Sequence, residues 1–509
     1  MTPGADDRVY DVALIGYGPA GATLANLLGR AGLSVLVLDR EAGIYPLPRA
    51  IHFDGEVMRV FQSLGLRARV EAISRPGLQG MHFVNARGET LMVRGGTASL
   101  GPHGCATNYY FHQPELEQVL RDGVARFPKV QVRLRAEVTA IEEHADQVAL
   151  TVTDRAGGPA FTARARWVVG CDGARSLVRR TLGSPMEDLG LRQPWLVFDV
   201  QLKDGAPALP EHTVQHCDPA RPMTWCNVTG RRRRWEIMVM PGDDEADLVK
   251  PETLWKLVGR WMTPAHADIE RAVIYTFHSQ IAQGWRRGRL MLAGDAAHLT
   301  PPFLGQGMCA AIRDASNLAW KLAAVARGEA GDELLDTYEA ERRPHVHAFI
   351  SLAVRLGDVI QTTDPQAAAA RDARYRAGEP EEFTFPAPRL GPGAWQGAQA
   401  AVARPFPQPR LADGRLLDEA LDGEAGPRFA VIARPALLDA VPGALRQLWQ
   451  DAGVAVLPAQ DPALQQWLDA QGAQAVVLRP DRYVAGLASD PGELEAASAC
   501  IPSREPQPH

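Results

Sequence analysis

The stretch Val12-Ala13-Leu14-Ile15-Gly16-Tyr17-Gly18-Pro19-Ala20-Gly21 decides how the chain begins to fold. Its apolar run favours a strand, its glycines favour a tight turn, and Ala20 to Leu28 then has the spacing of a helix. A second apolar run, Ser34 to Leu38, ends in Asp39 roughly 20 residues beyond the glycines. Strand, turn, helix, strand and acid in this order predict a βαβ unit that binds a dinucleotide.

Each glycine of this turn has a predicted mechanical role. Gly16 makes the turn, Gly18 lets backbone N–H groups approach a pyrophosphate, and Gly21 lets the helix pack closely. We expect the start of the helix to face the phosphates and Asp39 to accept a hydrogen bond from a ribose 2′-OH, which argues against a bound 2′-phosphate. The alternative is an ordinary turn in which Asp39 only caps a structural element.

Two later segments extend the pattern, Cys171-Asp172-Gly173-Ala174-Arg175-Ser176 and Ala293-Gly294-Asp295-Ala296-Ala297-His298. An apolar strand from Leu290 brings Asp295 to a strand end, where its carboxylate is placed to bond a ribitol hydroxyl. The loop Pro301 to Gly307 is suited to close backbone approach to an isoalloxazine edge, although a simple turn before a helix is the alternative. All three segments together predict FAD held by a single chain.

These segments resemble the single-component FAD-dependent aromatic hydroxylases of the para-hydroxybenzoate hydroxylase type. The resemblance runs from Tyr10 to about Gly486 and rests on Tyr10 through Arg40, on Asp172-Gly173 with Ser176 and Arg179, and on Gly294-Asp295 with Pro301-Pro302. Further motifs are most similar to the branch that contains 3-(3-hydroxyphenyl)propionate hydroxylase: Cys217-Asp218-Pro219-Ala220-Arg221-Pro222, Met238-Val239-Met240-Pro241-Gly242, Gly305-Gln306-Gly307-Met308, Arg313-Asp314-Ala315, Asn317-Leu318-Ala319-Trp320-Lys321-Leu322 and Leu478-Arg479-Pro480-Asp481-Arg482-Tyr483.

The resemblance implies an α/β fold of three parts. A Rossmann-like FAD-binding domain of the glutathione-reductase type takes residues 1–183 and 281–378, a β-sheet substrate domain takes 184–280, and a thioredoxin-like domain without a redox dithiol takes 410–509 after a linker at 379–409. The C-terminal domain is then expected to serve as a packing or oligomerisation element. A homodimer is a candidate for the oligomeric state. Apolar patterns predict these further elements: helices Gln113 to Val124, Ile312 to Val325 and Leu334 to Leu356, and strands Gln131 to Leu134, Val148 to Val152, Trp167 to Gly170, Trp195 to Val200, Ile237 to Met240, Phe429 to Ile432, Val454 to Leu457 and Ala475 to Leu478.

The resemblance also implies cofactor contacts beyond the glycine turn. Met308 and Cys309 would offer N–H groups to the flavin pyrimidine carbonyl, and Arg49 would lie beside the pyrophosphate. Gln113 would contact FAD, and the alternative is that it only begins a helix. Asp172 would contact FAD indirectly and help NAD(P)H to bind, and the alternative is that it only joins its turn to the sheet by hydrogen bonds. The remaining implied contacts are Pro19, Ala20, Arg40, Pro302, Gly305 and Gly307.

The implied reaction uses FAD, NADH or NADPH, and O₂. Reduced flavin takes up O₂ as the C4a-hydroperoxide, and one oxygen passes to a phenol ortho or para to its hydroxyl. No second glycine fingerprint is present, so the nicotinamide is expected to bind transiently in a groove. A base is expected to take the proton of the phenol. The candidate bases are His52, Tyr109, Tyr110, His112 and His216, and a role in the core or on the surface is the alternative for each. Pro302 of the flavin loop is a further candidate for the catalytic site. Arg221 is a candidate for a substrate carboxylate, and His298 is expected to be structural.

Composition sets the remaining limits. A chain of 509 residues with a net charge of −6 predicts two or three domains and gives no reason to expect nucleic acid, and we expect Arg231 to Arg234 to form a solvated turn. Six cysteines without C-x-x-C or metal spacing predict free thiols in a reducing compartment and no metal site. Neither a signal peptide nor a long apolar span is recognised, so cytoplasm is the expected location.

Rival functions share much of this architecture. A flavin reductase would not consume O₂, a halogenase would carry the missing W-x-W-x-I-P motif, and a pure binding module would lack the loop Pro301 to Gly307. Nitrophenol, halophenol and polyketide hydroxylases are the serious alternatives to a 3-(3-hydroxyphenyl)propionate-like substrate.

Overall fold

The computed structural model describes residues 8–95, 100–379, 383, 389–424 and 426–502. The strands of these ranges are β1 Val9–Ile15, β2 Val35–Asp39, β3 His52–Asp54, β4 Ser74–Pro76, β5 Met81–Asn85, β6 Thr90–Arg94, β7 Asn108–Phe111, β8 Val130–Leu134, β9 Ala136–Glu143, β10 Val148–Asp154, β11 Phe161–Gly170, β12 Met186–Leu202, β13 Thr213–Cys217, β14 Met223–Asn227, β15 Arg232–Met238, β16 Ala267–Ala282, β17 Arg286–Arg287, β18 Leu290–Leu292, β19 His298–Leu299, β20 Ala430–Ala433, β21 Ala455–Pro458, β22 Ala475–Leu478 and β23 Val484–Ala488.

The α-helices of the same ranges are α1 Pro19–Arg30, α2 Gly55–Ser63, α3 Arg67–Ala72, α4 Gln113–Val124, α5 Leu177–Leu182, α6 Glu245–Leu248, α7 Pro251–Val258, α8 Gly307–Ala326, α9 Thr337–Ile360, α10 Pro365–Arg376, α11 Leu417–Leu421, α12 Pro435–Asp439, α13 Gly443–Asp451, α14 Pro462–Gln471 and α15 Pro491–Ser498. Short 3₁₀ turns occupy Gly294–Ala296, Pro302–Leu304 and Asp332–Asp336. None of the helices in the described ranges has the length and apolar character needed to cross a membrane.

The first sheet grows from the βαβ unit that the glycine turn predicts. Strand β1 pairs in parallel with β2 on one side and with β11 on the other, and the order is β17-β18-β11-β1-β2-β8. Helix α1 packs between α4 and α8 over this sheet. The strands from β18 to β8 are parallel, so their carboxyl ends share one edge, which is where a parallel sheet of this kind places ligands.

The second sheet has eight strands in the order β19-β16-β12-β15-β14-β13-β5-β6. The strands predicted at Trp195 to Val200 and near Ile237 are confirmed within β12 and β15, although β15 ends at Met238. The sheet also recruits β5 and β6, which the predicted division placed in the first part of the FAD-binding domain. Strand β13 pairs in parallel with β5, and a pairing between such distant segments leaves no trace in local sequence patterns.

The basic run Arg231 to Arg234 is not the solvated turn that its charge suggested. Residues from Arg232 onward form β15, and Arg234 is only 1% exposed. Its guanidinium bonds both oxygens of Asp199 and also donates to the carbonyls of Pro48 and Arg49. The prediction was wrong because the alternation of the strand, which buries Trp235 on one face, turns Arg234 inward on the other.

The C-terminal part is a four-stranded sheet in the order β21-β20-β22-β23, with β20 parallel to β21 and the other pairs antiparallel. Its three predicted strands are confirmed within about a residue at each end, whereas β23 and helix α10 were not predicted. Residues 380–382 and 384–388 of the expected linker lie outside the described residues. Leu390, Val402 and Phe406 of the same stretch are buried in the C-terminal core, so this part of the linker is packed.

Buried ion pairs join the C-terminal domain to the rest of the chain. Glu341 of α9 receives both terminal nitrogens of Arg479 at 2.8 Å, together with Lys321 of α8 at 2.8 Å. Arg59 of α2 makes a bidentate pair with Asp418 at 2.6 and 2.8 Å. The domain is therefore fixed both to α2 and to the two helices, α8 and α9, that follow the predicted flavin loop. All six cysteines are free thiols.

Candidate active site

A cavity of about 2190 Å³ brings the three sequence motifs together. It is lined by the first sheet's carboxyl edge, by the loop that precedes α8 and by one face of the second sheet. Its lining includes these predicted cofactor residues: Gly16, Gly18, Pro19, Ala20, Asp39, Arg40, Arg49, Gln113, Asp172, Asp295, Pro302, Gly305, Gly307 and Met308. Segments nearly 300 positions apart in the sequence thus face one space.

The geometry of the glycine turn leaves room for a phosphate group. Gly16 has φ +104°, and a Cβ there would lie 2.3 Å from the carbonyl oxygen of Cys171. A Cβ on Gly21 would lie 2.1 Å from the carbonyl oxygen of Gly16, so neither position accepts a side chain. A Cβ on Gly18 would meet nothing within 4 Å, because that residue faces the cavity at the start of α1. A pyrophosphate fits this open side.

The two predicted acids differ in how the protein engages them. Asp39 ends β2 and accepts the N–H of Tyr17 at 2.6 Å and the N–H of Glu41 at 2.8 Å. Asp295 is exposed to the cavity in a 3₁₀ turn after β18 and makes no hydrogen bond with any described residue. Because none of the described residues bonds the Asp295 carboxylate, it is available to accept a hydrogen bond from a ribitol hydroxyl. Arg40 and Arg49 are both exposed, and Arg49 lies 6.0 Å from the ring centroid of Tyr45.

The loop before α8 offers backbone donors to the cavity. Gly305 has φ +64° and closes a 3₁₀ turn by donating its N–H to the carbonyl of Pro302 at 2.8 Å. Helix α8 then begins at Gly307, so the N–H groups of its first turn, including those of Met308 and Cys309, have no acceptor within the helix. The Cys309 side chain itself is buried away from the cavity lining.

A buried cluster that the sequence did not reveal supports this loop. Arg313 of α8 donates to Gln306 at 3.0 Å, to Glu56 at 2.7 Å and to Asp54. Tyr483 of the C-terminal domain donates its hydroxyl to Glu56 at 2.7 Å. Burial alone would raise the pKa of both carboxyl groups, but Arg313 outweighs it, and each pKa lies below its usual value. The cluster is therefore a fixed ion-pair network under the flavin loop.

Two other predicted cofactor residues are engaged by the protein. The Gln113 side-chain oxygen accepts the N–H groups of Arg49 and Ala50 at 2.9 and 2.7 Å. Asp172 accepts the N–H of Leu177 at 2.6 Å at the start of α5, and burial raises its pKa. Both residues therefore make the structural hydrogen bonds that were the alternative to cofactor contact, and both also line the cavity.

His52 and Tyr110 are the candidate bases that reach the cavity. The His52 ring bonds the Asn108 side-chain oxygen at 2.8 Å and contacts the Gly305 carbonyl at 3.3 Å. The Tyr110 hydroxyl lies 2.7 Å from the Thr213 hydroxyl, and burial raises the pKa of Tyr110. Both side chains are therefore anchored within the wall of the cavity.

The other candidates lie away from the cavity, which does not agree with the roles predicted for them. His216 packs 5.2 Å from Trp261, because β13 alternates and turns its neighbour Gln215 inward instead; burial lowers the pKa of His216 to about 4. Arg221 makes a bidentate pair with Asp243 at 2.7 and 2.9 Å. Tyr109 and His112 are also absent from the lining. His298 is structural, as expected, and bonds the buried Asp314 at 2.6 Å.

The sequence missed the polar side of the cavity. Neighbouring strands of the second sheet turn polar side chains inward, and we call this set the polar wall: Thr213, Gln215, Thr224, Cys226, Arg234, Glu236 and Arg271. Their alternation along each strand was the available signal. It was hidden because polar residues on a strand are ordinarily read as the solvent face.

Comparison with known proteins agrees with this geometry. A family model described as "FAD binding domain" matches residues 9–353, and one described as "HcaD C-terminal domain" matches residues 403–501. A probable NADH-specific resorcinol 4-hydroxylase from Rhodococcus jostii is 38% identical over 99% of this chain and 98% of its own. A 3-(3-hydroxy-phenyl)propionate/3-hydroxycinnamic acid hydroxylase from Mycobacterium avium is 35% identical over 99% and 92%.

Solved structures share the fold. The flavin-dependent monooxygenase PieE, in complex with FAD and substrate, has a TM-score of 0.82 at 24% identity, covering 97% of this chain and 99% of its own. The p-nitrophenol 4-monooxygenase PnpA from Pseudomonas putida has a TM-score of 0.66 at 26% identity, covering 73% and 94%. These structures show the fold, and the family model together with the full-length relatives shows that the chain belongs to the FAD-dependent aromatic hydroxylases.

Proposed function

We propose that this monooxygenase hydroxylates a neutral phenol of the resorcinol type, with NADH as the reductant. One ring C–H bond ortho or para to a hydroxyl becomes C–OH, while O₂ supplies that oxygen and its second atom leaves as water. NADH and one proton supply the two reducing equivalents. The named activity of the 38% identical relative supports both the substrate type and the choice of NADH.

The observation that carries the substrate type is the charge balance of the polar wall. Arg234 and Arg271 both pair with Asp199, at 2.7 and 2.8 Å. Glu236 adds a second carboxylate to the same face, so the cationic groups of this wall are already neutralised. A substrate carboxylate would add a third negative charge beside Asp199 and Glu236, whereas a neutral phenol hydroxyl adds none and can bond the Arg271 nitrogens, which have no hydrogen-bond partner among the described residues. The propionate side chain of 3-(3-hydroxyphenyl)propionate is therefore the poorer match.

We propose the following roles for the residues that would hold FAD, which supplies hydride acceptance and oxygen activation when bound. The open side of Gly18 and the first N–H groups of α1 would hold the pyrophosphate. Asp39 would hold the adenosine ribose and Asp295 the ribitol. The first N–H groups of α8, at Met308 and Cys309, would bond the pyrimidine carbonyl and stabilise negative charge on the ring.

The finer domain description is part of the same proposal. Parallel pairing of β2, β1 and β11 around the glycine turn supports a Rossmann-like FAD-binding domain of the glutathione-reductase type at 1–183 and 281–378. The order β21-β20-β22-β23, with one parallel and two antiparallel pairs, supports a thioredoxin-like C-terminal domain that works by packing. The substrate domain would be 184–280 together with β5 and β6.

The test is a substrate panel on the purified holoenzyme. Resorcinol, 3-(3-hydroxyphenyl)propionate and p-nitrophenol are each supplied with NADH or NADPH, and nicotinamide oxidation, hydroxylated product and hydrogen peroxide are measured together. We expect resorcinol with NADH to give product in near-stoichiometric amount. Peroxide without product for every phenol would overturn the proposal, and coupled turnover of the propionate alone would overturn the substrate type.

A further inference from the structure

Glu236 is placed in the cavity by the register of the second sheet. Strand β15 sets Glu236 opposite Thr224 of β14 and Val197 of β12. The flanking residues Trp235 and Ile237 belong to the apolar core on the far face of the sheet, so Glu236 points to the cavity side. Its side chain is only 11% exposed. A carboxylate is thus held at the inner face of a rigid sheet.

This carboxylate has no hydrogen-bond donor among the described residues. The nearest cationic atom belongs to Arg234 and lies 3.8 Å away, which is beyond hydrogen-bond distance. The obvious neighbours are engaged elsewhere, because Thr224 donates to the Gln215 oxygen at 2.6 Å and Arg234 bonds Asp199. A carboxylate that lines the cavity without a donor from these residues can accept a hydrogen bond from the hydroxyl of a ligand bound there.

Charged groups on neighbouring strands act on Glu236. Arg234 lies on its own strand, Asp199 on β12 and Arg271 on β16, while the Cys226 thiol of β14 is neutral because burial raises its pKa. Burial has the largest effect and raises the pKa of Glu236; Arg234 and Arg271 oppose this, while Asp199 adds to it. The carboxylate is therefore a stronger proton acceptor than an exposed glutamate.

The polar wall is connected to the flavin loop by direct contacts. Thr213 of the wall bonds the Tyr110 hydroxyl at 2.7 Å, and the Tyr110 ring lies 6.2 Å from the ring of His52. His52 in turn contacts the Gly305 carbonyl. Glu236 and this loop therefore line one cavity and are joined by a chain of contacting side chains in its wall.

We propose that Glu236 accepts the proton of the substrate's phenolic hydroxyl, an inference that rests on the proposed function. The phenol O–H bond breaks, its electron pair stays on the phenol oxygen, and a carboxyl O–H bond forms on Glu236. Once Glu236 is protonated, Arg234 and Arg271 face only one charged carboxylate among the described residues, that of Asp199, so the negative charge of the phenolate replaces the charge that Glu236 has lost. His52 is the less suitable acceptor, because both of its ring nitrogens already face protein oxygens.

The test compares Glu236→Gln with Glu270→Gln in the FAD-loaded enzyme. The amide keeps the size of the side chain but cannot accept a proton. Glu270 lies on β16 of the same sheet, is exposed, and pairs with Arg232 outside the cavity, which makes it a matched control. Resorcinol hydroxylation is followed by product formation over a range of pH, and resorcinol affinity by the change that it causes in the flavin absorption spectrum.

We expect E236Q to keep its FAD and to bind resorcinol, but to lose about 100-fold in kcat at neutral pH, the usual contribution of a general base. Its rate should recover by about tenfold per pH unit as more phenol ionises in solution. E270Q should match the wild type. An E236Q variant with wild-type kcat and pH profile would overturn the role of Glu236, and so would a loss that higher pH does not restore. A wild-type enzyme that forms no product from any phenol would instead overturn the proposed function.

Discussion

Glu341 is the position at which we expect a single conservative substitution to cost the most stability. Its carboxylate is fully buried between α8, α9 and the C-terminal domain, where it receives Arg479, Lys321 and Asn317. The change Glu341→Gln keeps the shape of the side chain and removes its charge. Arg479 and Lys321 are then left buried with one carboxylate fewer, although Asp481 still pairs with Arg479.

Two independent arguments give the expected loss in the free energy of unfolding. Removal of one partner of a buried ion pair costs about 3 to 5 kcal/mol. Burial alone would raise the pKa of Glu341, but Arg479 and Lys321 outweigh it and hold the pKa at about 2, against 4.5 for a free glutamate. At 1.36 kcal/mol per unit that displacement corresponds to about 3 kcal/mol. Arg479 is the main partner, because its charge lowers the pKa of Glu341 more than that of Lys321 does.

Urea unfolding of the FAD-saturated enzyme at neutral pH measures this loss. Circular dichroism reports the whole chain, and Glu71→Gln is the control, since Glu71 forms only an exposed pair with Arg67. We expect the control to change the free energy of unfolding by less than about 0.5 kcal/mol. If E341Q stays within about 1 kcal/mol of the wild type, the buried pair does not hold the C-terminal domain as argued.

Three further outcomes are expected. The difference in unfolding free energy between wild type and E341Q should be constant above the free pKa of 4.5 and should shrink as the pH falls toward 2. The reason is that Glu341 has a lower pKa in the folded than in the unfolded protein, so its protonation in acid removes the stability that its charge contributes. A difference that does not change with pH in acid titrations would contradict this. Gly18→Ala should fold normally yet bind FAD about tenfold more weakly, whereas Gly21→Ala should not yield folded protein, as measured by flavin titration and circular dichroism; equal behaviour of the two variants would contradict the assigned geometry. Asp295→Asn should weaken FAD binding by about tenfold without changing the melting temperature of the FAD-free protein, and unchanged affinity would remove Asp295 from the site.

The features that the sequence predicted are those that local patterns encode. The βαβ unit depends on neighbouring residues only, so its strands and helix were found where the structure has them. Glu236 and Arg313 were missed for the opposite reason. Their roles depend on which strands pair and on which helix faces the flavin loop, and four consecutive arginines before Trp235 gave the appearance of a solvent-exposed turn. His216 was assigned to the site although strand alternation gives that place to Gln215.

The hydrogen bond from Tyr483 to Glu56 has a consequence for engineering. Through Arg313 it connects the C-terminal domain to Gln306, which stands directly before α8. A chimera that takes its last hundred or so residues from a relative will therefore perturb the flavin environment unless the donor domain carries a hydroxyl at this point. Domain exchange in this enzyme is thus constrained at this tyrosine as well as at the buried ion pairs of Arg479 and Asp418.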